Sequence, residues 1–253
     1  MPRRARHIIA VGGFAPHGRS RALHAYILAQ TGRPRPRVCF VPTASGDDDR
    51  YIERFYRVYG SLGARASHLT LFKADDDRFA RLLARQDAIF VGGGNTKNML
   101  LLWRFWGIDR MLQAAYRRGA IIAGSSAGAM CWFEQGLTDS IPGRYTPMDC
   151  LGLIAGSYCP HFDSEPRRRP IYRRLIARRR LKAGYAIEDD VALHFVNGRL
   201  AAAVSTRRAG RAFFIASTGG RVRETMIQPG YLTQRNAVRS QRLTRSLLPG
   251  PAS

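Results

Sequence analysis

The sequence predicts an α/β protein with three layers (α/β/α), in which helices cover both faces of a doubly wound, mostly parallel sheet. Five short apolar runs alternate with helical patterns over residues 7–126, and this alternation is typical of parallel strands joined by helices. Glycine-rich turns follow three of these runs, at 12–14, 92–96 and 124–128. A chain of 253 residues with 45% hydrophobic content can bury a sizeable core. We therefore expect one domain over residues 1–218.

Each element of the first half follows from its own pattern. Short apolar runs predict strands at 7–13, 37–44, 66–72, 87–94 and 120–126. Apolar residues at helical spacing predict helices between strands at 21–30, 47–63 and 96–119. Ligands of an open α/β sheet bind beyond the carboxyl ends of its strands. The three glycine-rich turns are therefore expected to lie on the ligand-binding side of the sheet.

The pattern changes after about residue 155. We predict a short strand at 157–162, an arginine-rich helix at 165–180 and further strands within 184–205. The dipeptide Asn197-Gly198 is typical of a two-residue turn, which predicts a C-terminal β-hairpin. Residues 219–253 are polar and rich in arginine, so we expect them to form a partly disordered extension.

Composition narrows the classes of function. The formal net charge is +23, but only three of the 41 basic residues are lysine and the arginines are scattered along the chain. We attribute this bias to GC-rich coding and expect no specific nucleic-acid partner. No apolar stretch reaches the length of a membrane span or of a signal-peptide core. We therefore expect a cytoplasmic protein without a membrane partner. The four cysteines form no CxxC pair, which argues against a zinc site.

The segment GSSAG at 124–128 matches the G-x-S-x-G pattern of a nucleophile elbow. In this motif a sharp turn between a strand and a helix exposes a serine hydroxyl, which makes Ser126 the candidate nucleophile and Ser125 the intervening residue. The amide of Ala127 is a candidate donor to an oxyanion, and Gly93 or Gly94 in the neighbouring turn is a second. The alternative is a turn of small residues without chemistry.

A serine nucleophile requires a base. His161, in the segment SYCPHFD, lies at the end of the strand predicted at 157–162, where a loop could overhang the ligand-binding side, and is our candidate. His17, after the first glycine-rich turn, is a weaker candidate, and the other four histidines lie in or beside predicted elements. The third member of a triad is a carboxylate, and position alone leaves six candidates: Asp139, Asp163, Glu165, Glu188, Asp189 and Asp190.

The segments IFVGGGNT, GSSAGA and CPHFD, in this order, resemble peptidase family S51, the peptidase E or aspartyl dipeptidase group, which is related to the cyanophycinases. The resemblance runs over about residues 7–215 and implies the class I glutamine amidotransferase-like fold. It also implies that Ser126 is the nucleophile and His161 the base. The region of the oxyanion hole is implied at Gly93, Gly94 and Ala127.

The same resemblance suggests the acid. Asp189 falls where the Asp-X-specific enzymes have a glutamate, and Asp139, near another aspartate of the family, is the alternative. The carboxylate arm of Asp189 is one methylene shorter, so we expect weak or absent cleavage of Asp-X dipeptides. The expected activity is hydrolysis of small peptides by a serine-type mechanism that needs no metal or organic cofactor.

Two other classes of function stay open at this point. One is a noncatalytic, ligand-binding or regulatory protein on the same fold, and the other is charge-driven association with nucleic acid. We expect a small-peptide substrate and a monomer or homodimer. The eight arginines between 167 and 180 are expected to line a solvated helix face, since apolar residues between them can form the buried stripe.

Overall fold

The computed structural model of the protein describes residues 5–15, 20–71 and 76–238. Its strands are β1 (His7–Val11), β2 (Arg37–Val41), β3 (Arg65–His68), β4 (Ala88–Val91), β5 (Ile121–Ser125), β6 (Phe133–Ile141), β7 (Arg144–Asp149), β8 (Ile154–Cys159), β9 (Gly184–Ile187), β10 (Val191–Val196), β11 (Arg199–Ser205), β12 (Ala212–Thr218), β13 (Arg221–Ile227) and β14 (Gly230–Tyr231). Its helices are α1 (Arg21–Ala29), α2 (Asp49–Ser61), α3 (Asp76–Ala84), α4 (Thr96–Trp106), α5 (Ile108–Arg117), α6 (Ala127–Met130), α7 (Arg168–Ala177) and α8 (Gln234–Ala237).

The main sheet has eight strands in the order β14-β11-β10-β1-β5-β4-β2-β3. The five strands from β1 to β3 in this order run parallel to one another. They are the five strands predicted from the apolar runs, and the predicted fold class is confirmed. The predicted hairpin joins β10 and β11, where Asn197 and Gly198 have φ values of 51° and 81°. β10 pairs with β1 in antiparallel orientation. The hairpin therefore extends the sheet beyond β1, on the side opposite β5.

Alternate residues of the central strands face two separate cores. Ile9 and Val11 of β1 pack with α1 and α2 on one face, whereas Ile8 and Ala10 pack with α4, α5 and a second sheet on the other. This alternation follows from the two-residue period of a strand. Both faces of β1, β2, β4 and β5 are therefore buried, which explains why their sequences read as apolar runs, whereas the edge strand β3 has no buried residue.

The second sheet has six strands in the order β13-β12-β9-β8-β6-β7, and the sequence analysis did not predict it. Its outer face is covered by α7, whose Tyr172 and Ile176 pack against Phe213 of β12. The strand predicted at 157–162 is observed as Ile154–Cys159, so His161 lies in the loop after the strand. The helix predicted at 96–119 is divided into α4 and α5 because Gly107 ends α4 in a left-handed conformation with φ of 67°.

The predicted extension begins at residue 219, and its described part, 219–238, contains short elements that the sequence did not indicate. β13 pairs with β12, and β14 pairs with β11. His17 and residues 239–253 lie outside the described residues. Among the residues that the structure describes, no helix combines the length and the apolar character that a membrane crossing requires.

Candidate active site

Ser126 lies at a strained turn between β5 and α6. Its backbone has φ of 53° and ψ of −118°, a conformation that is uncommon outside glycine. The turn is possible because Gly124 and Gly128, two residues before and two residues after Ser126, lack side chains. A Cβ on Gly124 would lie 2.1 Å from the carbonyl oxygen of Gly128, and one on Gly128 would lie 2.3 Å from the carbonyl oxygen of Val91. The G-x-S-x-G pattern is therefore required by packing, and the serine hydroxyl is raised above the end of the sheet.

Three of the predicted site residues form a hydrogen-bonded chain. The Nε2 atom of His161 lies 2.8 Å from the Oγ atom of Ser126, and its Nδ1 atom lies 2.8 Å from the Oδ1 atom of Asp189. A carboxylate only accepts hydrogen bonds, so Nδ1–H donates to Asp189 and Nε2 is left to accept the serine proton. The arrangement is the one a general base needs in order to activate a hydroxyl.

Asp189 is held in its charged form. Its side chain is only 8% exposed, while that of His161 is 22% exposed. Burial raises the pKa of the Asp189 carboxyl, but the hydrogen bond from His161 and the nearby positive charges outweigh burial, and the pKa is lowered overall. At neutral pH Asp189 is therefore an anion that can stabilise an imidazolium.

Gly13, in the first glycine-rich turn, makes room for the contact between His161 and Asp189. A Cβ at this position would lie 2.2 Å from Asp189 Oδ1 and 2.3 Å from His161 Cε1. Contacts below 3.0 Å are essentially never seen for a real Cβ. The turn at 12–14 thus serves the site by its lack of a side chain, a role the sequence did not reveal.

A second set of charged residues fixes the backbone of Asp189. Its amide donates to Asp163 Oδ1 at 2.9 Å, and the other oxygen of Asp163 accepts from Arg207 at 2.6 Å. Arg207 also donates to Glu188 at 3.2 Å. Asp190, the next residue along the chain, is fully buried. Asp163, one of the candidate acids, therefore holds the Asp189 backbone, and Glu188, another, is linked to it through Arg207.

The alternative acid lies elsewhere. Asp139 is on β6, its side chain is 54% exposed, and its Oδ1 atom pairs with Arg168 at 3.4 Å. Glu165 also binds Arg168, at 2.9 Å, and accepts from the hydroxyl of Tyr145 at 2.7 Å. The structure brings neither carboxylate to His161 Nδ1, which faces Asp189.

The candidate oxyanion donors lie on the two loops beside Ser126. A Cβ on Gly93 would lie 3.2 Å from the Cβ of Ser126, so the Gly93 backbone lies directly against the nucleophile. Its amide makes a long, 3.5 Å contact to the hydroxyl of Tyr51. Ala127 is the first residue of α6, so its amide has no acceptor within that helix. Because α6 has only four residues, the amide itself, and not a helix dipole, is the useful group.

Gly94, the other glycine predicted here, packs closely against a neighbouring loop. It has φ of 138°, and a Cβ there would lie 2.1 Å from the carbonyl oxygen of Ala44. The loop is thus packed against the 3-10 turn at Thr43–Ser45. We infer that Gly94 positions the Gly93 amide through this close approach.

A cavity of about 270 Å³ opens at Ser126 and His161. Its other walls come from the glycine-rich turns at 12–14 and 92–96, from Phe90 of β4, and from α1 and α2, including Tyr51 and Arg54. The sequence predicted the two turns on this side of the sheet but not the residues of α1 and α2. The only available signal was the spacing of Tyr51, Phe55 and Tyr59, which indicates one face of a helix. Within the described parts of the chain, no cluster of three His, Cys, Asp or Glu residues could hold a metal ion.

Comparisons with known protein sequences all indicate the same family. The sequence model of peptidase family S51 matches residues 8–203. The uncharacterized peptidase YgaJ of Bacillus subtilis (strain 168) is 44% identical over 229 residues, which span 90% of this chain and 99% of that protein. Peptidase E of Streptomyces coelicolor is 31% identical over 164 residues, or 63% of this chain and 66% of that protein.

The similarity extends to a solved structure. The crystal structure of a peptidase from an acI-B1 Actinobacterium superposes with a TM-score of 0.67 over 91% of this chain and 97% of that one. The two sequences are 17% identical, so this likeness is one of fold.

Proposed function

The chain belongs to peptidase family S51, and from this premise we propose that it is a serine peptidase that hydrolyses small peptides through an acyl-enzyme on Ser126. The observation that carries the proposal is the hydrogen-bonded chain from Ser126 through His161 to Asp189, with both contacts at 2.8 Å. Few functions other than nucleophilic catalysis require a strained serine, a histidine and a buried carboxylate, hydrogen-bonded in this order.

The proposed reaction uses each group in turn. Ser126 Oγ attacks the peptide carbonyl carbon while His161 Nε2 takes the hydroxyl proton, and Asp189 stabilises the imidazolium that forms. The amides of Gly93 and Ala127 donate to the oxyanion, and the Tyr51 hydroxyl gives up its long contact with Gly93. His161 then returns the proton to the leaving amine. Water, activated by the same histidine, hydrolyses the acyl-enzyme and restores Ser126.

Substitution of the nucleophile tests the proposal. We expect Ser126→Ala to lower kcat/KM for a mixed set of dipeptides and tripeptides by at least about 10³-fold while the melting temperature changes little. Ser125→Ala is the matched control. Its hydroxyl lies within β5 and is buried, so we expect that variant only to weaken activity. Labelling by a fluorophosphonate probe should follow the same order. Full activity of Ser126→Ala, or no hydrolysis by the wild-type protein, would contradict the proposal.

Specificity for Asp-X dipeptides is not part of the proposed function. Asp189 reaches His161 at 2.8 Å, so its shorter arm does not prevent the triad contact. An aspartate side chain in the substrate would need a cation within the site. Arg54 lines the cavity beside Ser126, but it is exposed to solvent. We therefore expect Asp-X dipeptides to be poor substrates.

A further inference from the structure

The cavity beside Ser126 carries a second inference, which rests on the proposed peptidase function. We propose that it binds a large apolar or aromatic side chain from the residue on the acyl side of the scissile bond. The cavity of about 270 Å³ opens directly at Ser126 and His161. This volume is just below the range of about 300–1,000 Å³ typical of small-molecule sites. It therefore suits a single side chain.

Several aromatic side chains line the cavity, and some of them belong to the buried core. Phe14, Phe55, Val58 and Phe90 line it, and Phe55 and Phe90 are 4% and 2% exposed. Phe55 is stacked on Phe40, with ring centroids 4.8 Å apart and planes at 11°. These rings are fixed by the core before any substrate arrives, so an apolar side chain can enter without reordering them.

The inner end of the cavity offers no charge. His24 and Tyr59 line it, and His24 Nδ1 is 3.1 Å from the Tyr59 hydroxyl. Both side chains are buried. Burial, and then the charge of Arg54, lower the pKa of His24 to about 3, so the imidazole is neutral at pH 7. Both polar groups are uncharged, so this end of the cavity holds no charge that could pair with an ionised side chain of a substrate.

Among the described residues that line the cavity, Arg54 is the one cation. It does not make the cavity a binding site for acidic side chains. Its side chain is exposed, and the attraction of an exposed cation for a carboxylate is largely screened by water and salt. A carboxylate that went deeper would lose its hydration among aromatic rings. The cavity therefore favours an apolar group over an acidic one.

The position of Gly93 indicates which residue of the substrate places its side chain in the cavity. Gly93 lines the cavity together with Ser126, and its amide is a candidate oxyanion donor. The carbonyl that Ser126 attacks must therefore lie at the mouth of the cavity. The side chain attached next to that carbonyl, on the acyl side, is then directed inward.

Dipeptides of the form X-Leu, with X as Phe, Leu, Ala or Asp, test the inference with the full-length protein. Burial of an aromatic side chain predicts a kcat/KM about 10- to 150-fold higher for Phe-Leu than for Ala-Leu. Val58→Trp fills the cavity from a half-buried position and should lower kcat/KM for Phe-Leu by at least about tenfold while Ala-Leu is little affected. Arg57→Trp, at the exposed neighbouring position on α2, is the matched control and should leave both substrates unchanged.

A binding measurement separates this inference from the proposed function. Calorimetry with the inactive Ser126→Ala variant should show tighter binding of Phe-Leu than of Ala-Leu, and Val58→Trp in the same background should remove the difference. If the wild-type protein hydrolyses the dipeptides but prefers Ala or Asp, or selects only the residue after the scissile bond, the inference is wrong and the peptidase function stands. If it hydrolyses none and binds none, both are wrong.

Discussion

The close packing at Gly13 leads to a quantitative prediction for Gly13→Ala. A Cβ would lie 2.2 Å from Asp189 Oδ1, and since real contacts begin near 3.0 Å, the carboxylate or the turn must move by about 0.8 Å. The same Cβ would lie 2.3 Å from His161 Cε1. A comparable shift of the imidazole would lengthen its 2.8 Å contact with Ser126 beyond hydrogen-bond range. We expect kcat/KM to fall by about 10²-fold, as displacements near 1 Å do in other active sites.

Two measurements check this prediction. The rate of labelling by a fluorophosphonate probe reports the nucleophile without requiring the natural substrate, and thermal unfolding reports the fold. Gly13 does not have a positive φ, so alanine adds no backbone strain and the melting temperature should change little. Gly60→Ala is the matched control, because a Cβ there meets nothing within 4 Å. Labelling of Gly13→Ala within about twofold of the wild-type rate would refute the reasoning, since it would show that the triad tolerates displacement.

Three further predictions concern the acid, its support and pH. Asp189→Asn should lower kcat/KM by about 10⁴-fold, whereas the exposed Asp139 should tolerate the same change with less than about a threefold loss; kinetics giving the reverse ranking would assign the acid to Asp139. Arg207→Gln should lower kcat by about tenfold with KM nearly unchanged, because Asp163, which accepts from the Asp189 amide, loses its partner; an effect confined to KM would contradict this role. The free energy of unfolding should fall as pH drops from 6.5 toward 3, because the pKa values of buried His24 and His194 are both lowered from 6.5 to about 3. The unfolded chain binds more protons in this window, so each histidine contributes a slope of up to about 1.4 kcal/mol per pH unit. Urea unfolding at pH 7 and about pH 5 measures the slope, and equal stabilities would contradict it.

The parallel half of the fold could be predicted because its signals are local. β1, β2, β4 and β5 are buried on both faces, so each gives an unbroken apolar run bounded by glycine or polar residues. The second sheet gives no such signal. β7 has no fully buried residue, and the turn between β6 and β7 reads as a polar loop. Pairing of β9 with β8 and β12 depends on contacts between distant segments, which local patterns do not contain.

The same distinction applies to the site. Ser126 and His161 could be chosen as candidates because the elbow is a local motif and His161 stands alone in its segment. The acid could not be chosen by position, because Glu188, Asp189 and Asp190 are adjacent. Only the packed structure separates them: Glu188 binds Arg207 and Arg211, Asp189 faces His161, and Asp190 is buried. The cavity was missed for a similar reason, since the aromatic spacing on α2 predicts a buried face but not its neighbour.

The position of β1 makes the main sheet depend on two segments that are far apart in the sequence. β1 lies inside the main sheet, and one of its two neighbours is β10, so that His7 pairs with Val196. Pairing over such a sequence separation slows folding, because a long loop must close before the contact forms. A chain that ends before β10 leaves one edge of β1 unpaired, and an unpaired strand edge is prone to aggregation.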